Sequence, residues 1–138
     1  MVPFLGSGNG LGRQVDRWLR SGADVKVDAY ANALRDLARS RREIAKVFAD
    51  VDLLVLPTMA DPPFKVEVGL TRNVSARNTL PFDVYGIPMI SIPCGFTSTG
   101  LPVGLQIAGA PWAESTVLAL AYAYEQSTDW HNRRPKLG

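Results

Sequence analysis

Two short apolar runs, each bracketed by residues that interrupt a strand, constrain this chain more than any other feature. Met89-Ile90-Ser91-Ile92 lies between Pro88 and Pro93, and proline lacks the N–H that a sheet ladder needs. Val103 to Ala108 follows a stretch, Cys94 to Leu101, in which Gly95 and Gly100 enclose Thr97-Ser98-Thr99. Glycine and hydroxyl residues favour chain reversal, so the two runs predict a hairpin-like pair.

A sheet needs a cover, and the remaining periodicity supplies helices. From Asp28, read as an N-cap, apolar residues recur at Tyr30, Ala33, Leu34, Leu37, Ile44, Ala45 and Phe48, the spacing of an amphipathic helix that ends near Asp50. Val51 to Leu56, closed by Pro57, reads as a buried strand. Residues 57 to 80 read as a long irregular excursion, Leu80 to Tyr85 as a helical turn ended by Gly86, and Trp130 to Pro135 as a polar tail. Glu114 to Gln126 carries Val117, Leu118, Leu120, Ala121 and Tyr124 at helical spacing. The order predicts an α/β fold of helices layered on a sheet, one domain over 28–138. Residues 1–27 read as a loosely structured segment with a short helical suggestion around Val15 to Leu19.

Composition excludes several classes. Hydrophobic residues make up 46% of the 138 and charged residues 20%, and no apolar run approaches the roughly 20 residues of a membrane helix, so a soluble globular chain without a membrane partner is expected. The opening Met1-Val2-Pro3-Phe4 lacks the basic and apolar regions of a secretory signal, which predicts a cytoplasmic location. The net charge of +2 is too slight to imply a nucleic-acid partner. The cluster Arg35, Arg39, Arg41, Arg42 and Lys46 reads as a solvated helix face with acidic residues nearby. Cys94 is the single cysteine and no Cys/His grouping accompanies it, so neither disulfide nor metal nor other cofactor is expected.

Common site motifs fail on spacing. A GxGxxG frame from Gly6 meets Leu11 and one from Gly8 meets Arg13, and the P-loop spacing of Gly95 and Gly100 leads into Leu101-Pro102 where Lys and Ser/Thr belong. No GxSxG elbow is present. Cys94 with the single histidine, His131, is one nucleophile-base combination to weigh, and an unusual serine-lysine pair is the other. Catalysis through them requires contact within hydrogen-bond reach. Otherwise Cys94 is an inert packed thiol and His131 a surface hydrogen-bonding group.

Three separated motifs, in order, carry a resemblance. They are Asp52-Leu53-Leu54-Val55-Leu56-Pro57-Thr58, the stretch Arg77-Asn78-Thr79-Leu80-Pro81-Phe82-Asp83 through Gly86-Ile87-Pro88 to Cys94-Gly95-Phe96, and Gly100-Leu101-Pro102-Val103-Gly104-Leu105-Gln106-Ile107-Ala108-Gly109. The likeness continues through Glu114, Leu118 and Ala121-Tyr122-Ala123-Tyr124-Glu125-Gln126 to Trp130-His131 and Arg134-Pro135. This pattern, over roughly residues 28 to 135, resembles the amidase signature family.

The resemblance implies an α/β fold with a mixed sheet, amide hydrolysis or transfer, and no metal or organic cofactor. It also implies a catalytic set of a serine nucleophile, a second serine on a cis peptide bond and a lysine base, with the serines in a glycine- and serine-rich loop upstream of the matched region. No serine here lies in such a loop, and Lys26, Lys46, Lys65 and Lys136 do not stand in the family's lysine context, so no catalytic residue is carried over. The chain is therefore read as the carboxy-terminal portion of an amidase, inactive alone, that self-associates or pairs with a separate amino-terminal portion. The family context places Arg77, Asn78, Thr79 and Asp83 at the substrate entrance, where a loop-anchoring role competes with ligand contact. Asp83 stands where the family usually has asparagine, and it lacks the amide donor. Two further readings are a stand-alone amide hydrolase using Cys94 and His131, and a non-catalytic module that binds a small amide ligand.

Overall fold

The structure, a computed structural model, describes residues 12–65 and 76–134. It divides inside its second helix into two compact units, the first up to Arg39 and the second from Ser40.

In the first unit, α1 (Arg13–Ala23) occupies a segment read from sequence as loose around a short helical suggestion. Its charge spacing explains the added turns. Arg20 Nε reaches Asp16 Oδ2 at 2.8 Å, an i,i+4 pair with the acid toward the helix start, an arrangement that favours helix. Helix α2 (Val27–Val47) begins one residue before Asp28, so Asp28 lies within the first turn rather than capping it. A carboxylate is favoured there by the helix dipole. No residue of α2 is buried. The basic cluster is exposed as expected: Arg39 meets Asp36 at 2.9 Å and Lys46 approaches Glu43 at 4.0 Å.

The second unit is built on a three-stranded sheet, β1 (Leu53–Pro57), β2 (Met89–Phe96) and β3 (Pro102–Gly109), in the order β1-β3-β2. All pairings among the described residues are antiparallel. Strand β2 runs past Pro93, where the sequence places its end. It is an edge strand, and its register with β3 shifts between Pro93 and Gly95, leaving Cys94 as the additional residue of a bulge. Edges and bulges are where a strand tolerates a missing N–H.

Side chains alternate across a strand, so the register assigns the two faces. Leu53 and Val55 of β1, Ile90 and Ile92 of β2, and Leu105, Ile107 and Gly109 of β3 share one face. Helix α4 (Glu114–Ser127) covers this face, burying Val117 and Ala121 against Ile92 and Ile107, with Leu53, Ile90, Leu105 and Tyr124 packed around them. Gly109 makes the contact close, since a Cβ there would lie 2.7 Å from Val117 Cγ2. The other face carries Ser91, Gly104, Gln106 and Ala108.

A six-residue helix, α3 (Leu80–Tyr85), begins with Pro81 in its first turn and ends at Gly86, whose φ of 69° is the left-handed conformation common after a helix. Arg41 Nε donates to the Val84 carbonyl at 3.0 Å, meeting an end-of-helix acceptor that has no partner within the helix. The outer side of α4 carries large exposed apolar residues: Leu118 and Tyr122 are 57% and 65% exposed, and Trp112 just before the helix is 92% exposed. Among the described residues, no helix is long and apolar enough to cross a membrane.

Candidate functional site

The polar face of the sheet holds a connected set of hydrogen bonds that starts where β1 ends. Pro57 breaks the strand, and Thr58 follows with its N–H donating to the Gly104 carbonyl at 2.9 Å. The Thr58 hydroxyl is in turn hydrogen-bonded to the Ser91 hydroxyl across β3. Gly104 lies beneath both, and a Cβ there would come within 2.7 Å of Ser91 Oγ and of Thr58 Oγ1. The glycine is the condition for the hydroxyl pair: any larger residue would occupy its space.

A second link anchors the chain before α3. Gln106 is 1% exposed, and its Nε2 donates to the Asn78 carbonyl at 2.7 Å. The Asn78 Nδ2 donates to the Pro57 carbonyl at 2.8 Å. A buried amide must find partners or incur a desolvation cost of about 1–3 kcal/mol, and here it fixes the turn over residues 77–79 against the sheet.

A cavity of about 570 Å³ opens beside the hydroxyl pair. Thr58, Ser91 and Gly104 border it with Thr97, Pro102 and Val103, and the chain from Met59 to Phe64 forms its other wall. Asp61 is the single charged residue lining it among the described residues.

The four residues expected at a substrate entrance lie on the neighbouring turn and on α3, and none lines the cavity. Asn78 acts as the loop anchor just described, and the Thr79 hydroxyl donates to the Ala76 carbonyl at 3.3 Å. Arg77 and Asp83 are exposed. The sequence reading missed Thr58, Ser91, Gly104 and Asp61. A glycine inside the strand pattern at 104 was the available signal.

Cys94 and His131 are not joined by a hydrogen bond. The Cys94 thiol donates to the Val103 carbonyl at 3.5 Å, and His131 Nδ1 is buried without a partner among the described residues. His131 lies in a 3-10 turn, Trp130–Asn132, where the Trp130 ring meets Phe96 edge-on at 6.1 Å and the Arg133 guanidinium stacks 4.5 Å from the Trp130 ring. Among the described residues no cluster of three or more His, Cys, Asp or Glu side chains could hold a metal. The hydroxyl pair has no other side-chain partner there either. This arrangement can hold a ligand by hydrogen bonds, but it lacks the aligned base that activates a nucleophile.

Comparison with known proteins places this geometry. The family model described as Amidase matches residues 5–118, beginning earlier than the resemblance read from the motifs. The glutamyl-tRNA(Gln) amidotransferase A-subunit of Methanosarcina mazei is 46% identical over 110 residues, covering 77% of this chain and 23% of that protein. Its counterpart from Synechococcus sp. (strain JA-2-3B'a(2-13)) is 42% identical over 138 residues, 94% of this chain and 27% of that protein. Among solved structures, a 6-aminohexanoate cyclic dimer hydrolase complexed with substrate superposes with a TM-score of 0.75 at 28% identity, over 94% of this chain and 31% of that one. The Thermotoga maritima glutamyl-tRNA(Gln) amidotransferase A-subunit gives a TM-score of 0.62 at 28% identity, over 86% and 28%. The chain thus spans about a quarter of the length of the curated relatives it matches. With its ordered motifs, its α4-covered sheet and a family match over most of its length, the chain belongs to the amidase signature family.

Proposed function

We propose that this chain forms the carboxy-terminal, substrate-side portion of an amide hydrolase or amidotransferase, whose Ser-Ser-Lys set lies in sequence it does not contain. One observation carries the reading: the family match runs through most of the chain, yet among the described residues no serine or cysteine is hydrogen-bonded to a base. The portion works in the cytoplasm without a metal or cofactor, with Arg77, Asn78, Thr79 and Asp83 bordering the substrate entrance. Asn78 serves there by holding its turn to β1. The exposed apolar residues Trp112, Leu118 and Tyr122 support association, with a separate catalytic portion or with a second copy.

The test follows ammonia release from a panel of aliphatic and aromatic amides. The chain, Cys94→Ala and His131→Ala are each expected to stay at background alone. A protein carrying the family's serine- and lysine-containing portion is expected to bind the chain and restore release. Activity of the unmodified chain that either substitution abolishes would overturn the proposal.

A further inference from the structure

We propose that the cavity beside Thr58 and Ser91 binds a small ligand with an apolar body and an uncharged or cationic head, and discriminates against anions of the same shape. Its volume of about 570 Å³ lies inside the range of small-molecule sites, roughly 300–1,000 Å³. Met59, Pro62, Pro63 and Phe64 give it an apolar wall, and the Thr58 and Ser91 hydroxyls give one end groups that both donate and accept. A carboxamide has the matching pair of acceptor oxygen and N–H donors.

Charge decides the rest. Asp61 lines the cavity, and no lysine, arginine or histidine does so among the described residues. Lys65 is one residue past Phe64 but outside the lining. An anion entering would give up hydration to face a carboxylate with no cation among the described lining residues to offset it, whereas a cation would gain a partner. Identifying this ligand with an amide substrate rests on the amide-hydrolase reading; the charge preference does not.

The experiment is a ligand-observed NMR titration of the full chain with phenylacetamide, phenylacetamidine and phenylacetate, which share a shape and differ as neutral molecule, cation and anion. Ligands of about ten non-hydrogen atoms at modest efficiency are expected to bind with Kd of about 1–10 mM. Phenylacetate is expected to bind about tenfold more weakly than phenylacetamidine at low ionic strength, and added salt should narrow that gap. Asp61 is exposed, so Asp61→Asn should leave the fold unchanged and bring the cation and anion within about twofold of each other. Ser91→Ala is expected to weaken phenylacetamide while preserving the cation-anion gap. Three equal affinities, tighter binding of phenylacetate, no binding of any probe, or a gap that survives Asp61→Asn would each overturn the proposal. Binding is read without turnover, so a chain inert toward amides can still pass this test, and an active one can still fail it.

Discussion

The two faces of one sheet solve different problems with the same strand. On one face β3 presents Leu105, Ile107 and Gly109 to α4, and everything packed there is apolar, with Ile107 0% exposed. On the other face it presents Gly104 and Gln106: the Gly104 carbonyl accepts from the Thr58 N–H beneath the Thr58–Ser91 hydroxyl pair, and Gln106 donates to the Asn78 turn. Each face uses a glycine for close approach, Gly109 to admit Val117 and Gly104 to admit two hydroxyls. The first arrangement stabilises the unit through non-directional burial. The second fixes positions, because hydrogen bonds hold only at defined distances and angles. A strand can therefore anchor a core and shape a site at once.

The sharpest way to break this comparison is to empty the apolar face. Ile107→Ala is expected to destabilise the unit by about 2–5 kcal/mol in chemical denaturation, and a loss below about 1 kcal/mol would mean that this face is not its core. Gly109→Ala comes next: its new methyl meets Val117, held in a packed helix, and overpacking of that kind costs about 1–3 kcal/mol. On the polar face, Gln106→Leu keeps the volume but leaves the Asn78 carbonyl without its donor, for a cost of about 1–2 kcal/mol. Its distinguishing readout is faster amide exchange confined to the residues around Asn78, a pattern that simple loss of core packing would not give.

The smallest effect lies outside both faces, in α1. The hydrogen bond from Arg20 holds the Asp16 carboxyl below its ordinary value of 3.8. A lowered native value means that the pair's contribution is complete above the unfolded aspartate's range and fades as pH falls through the lowered value. Both side chains stay open to solvent, so solvent screening keeps the effect small. An NMR titration of the Asp16 carboxyl should return to the ordinary midpoint in Arg20→Ala. An unchanged midpoint would remove the pair as the reason α1 is longer than its apolar spacing indicates.

Much of the element plan was legible. The turn Leu80 to Tyr85 and the helix over Glu114 to Gln126 appear almost where the sequence places them, because proline, glycine and period are local signals. The end of β2 was misplaced because Pro93 stops a strand only if its missing N–H is needed, and on an edge with a bulge it is not. Residues 77–79 stood out through their family context, whereas Thr58 and Ser91, 33 positions apart, gave no sign of meeting.

By itself the sequence determined helices α2 to α4, the hairpin, the family and the absence of a familiar nucleophile motif, since each is written in neighbouring residues or in ordered motifs. Only the tertiary structure decided that β1 joins β3 and makes it the central strand, that Gly104 lies beneath a hydroxyl pair, and that Cys94 turns to a backbone carbonyl rather than to His131. Those outcomes depend on how distant segments return to one another. Local spacing does not encode that return, which is set by the chain's joint need to bury Ile107 and to satisfy Gln106.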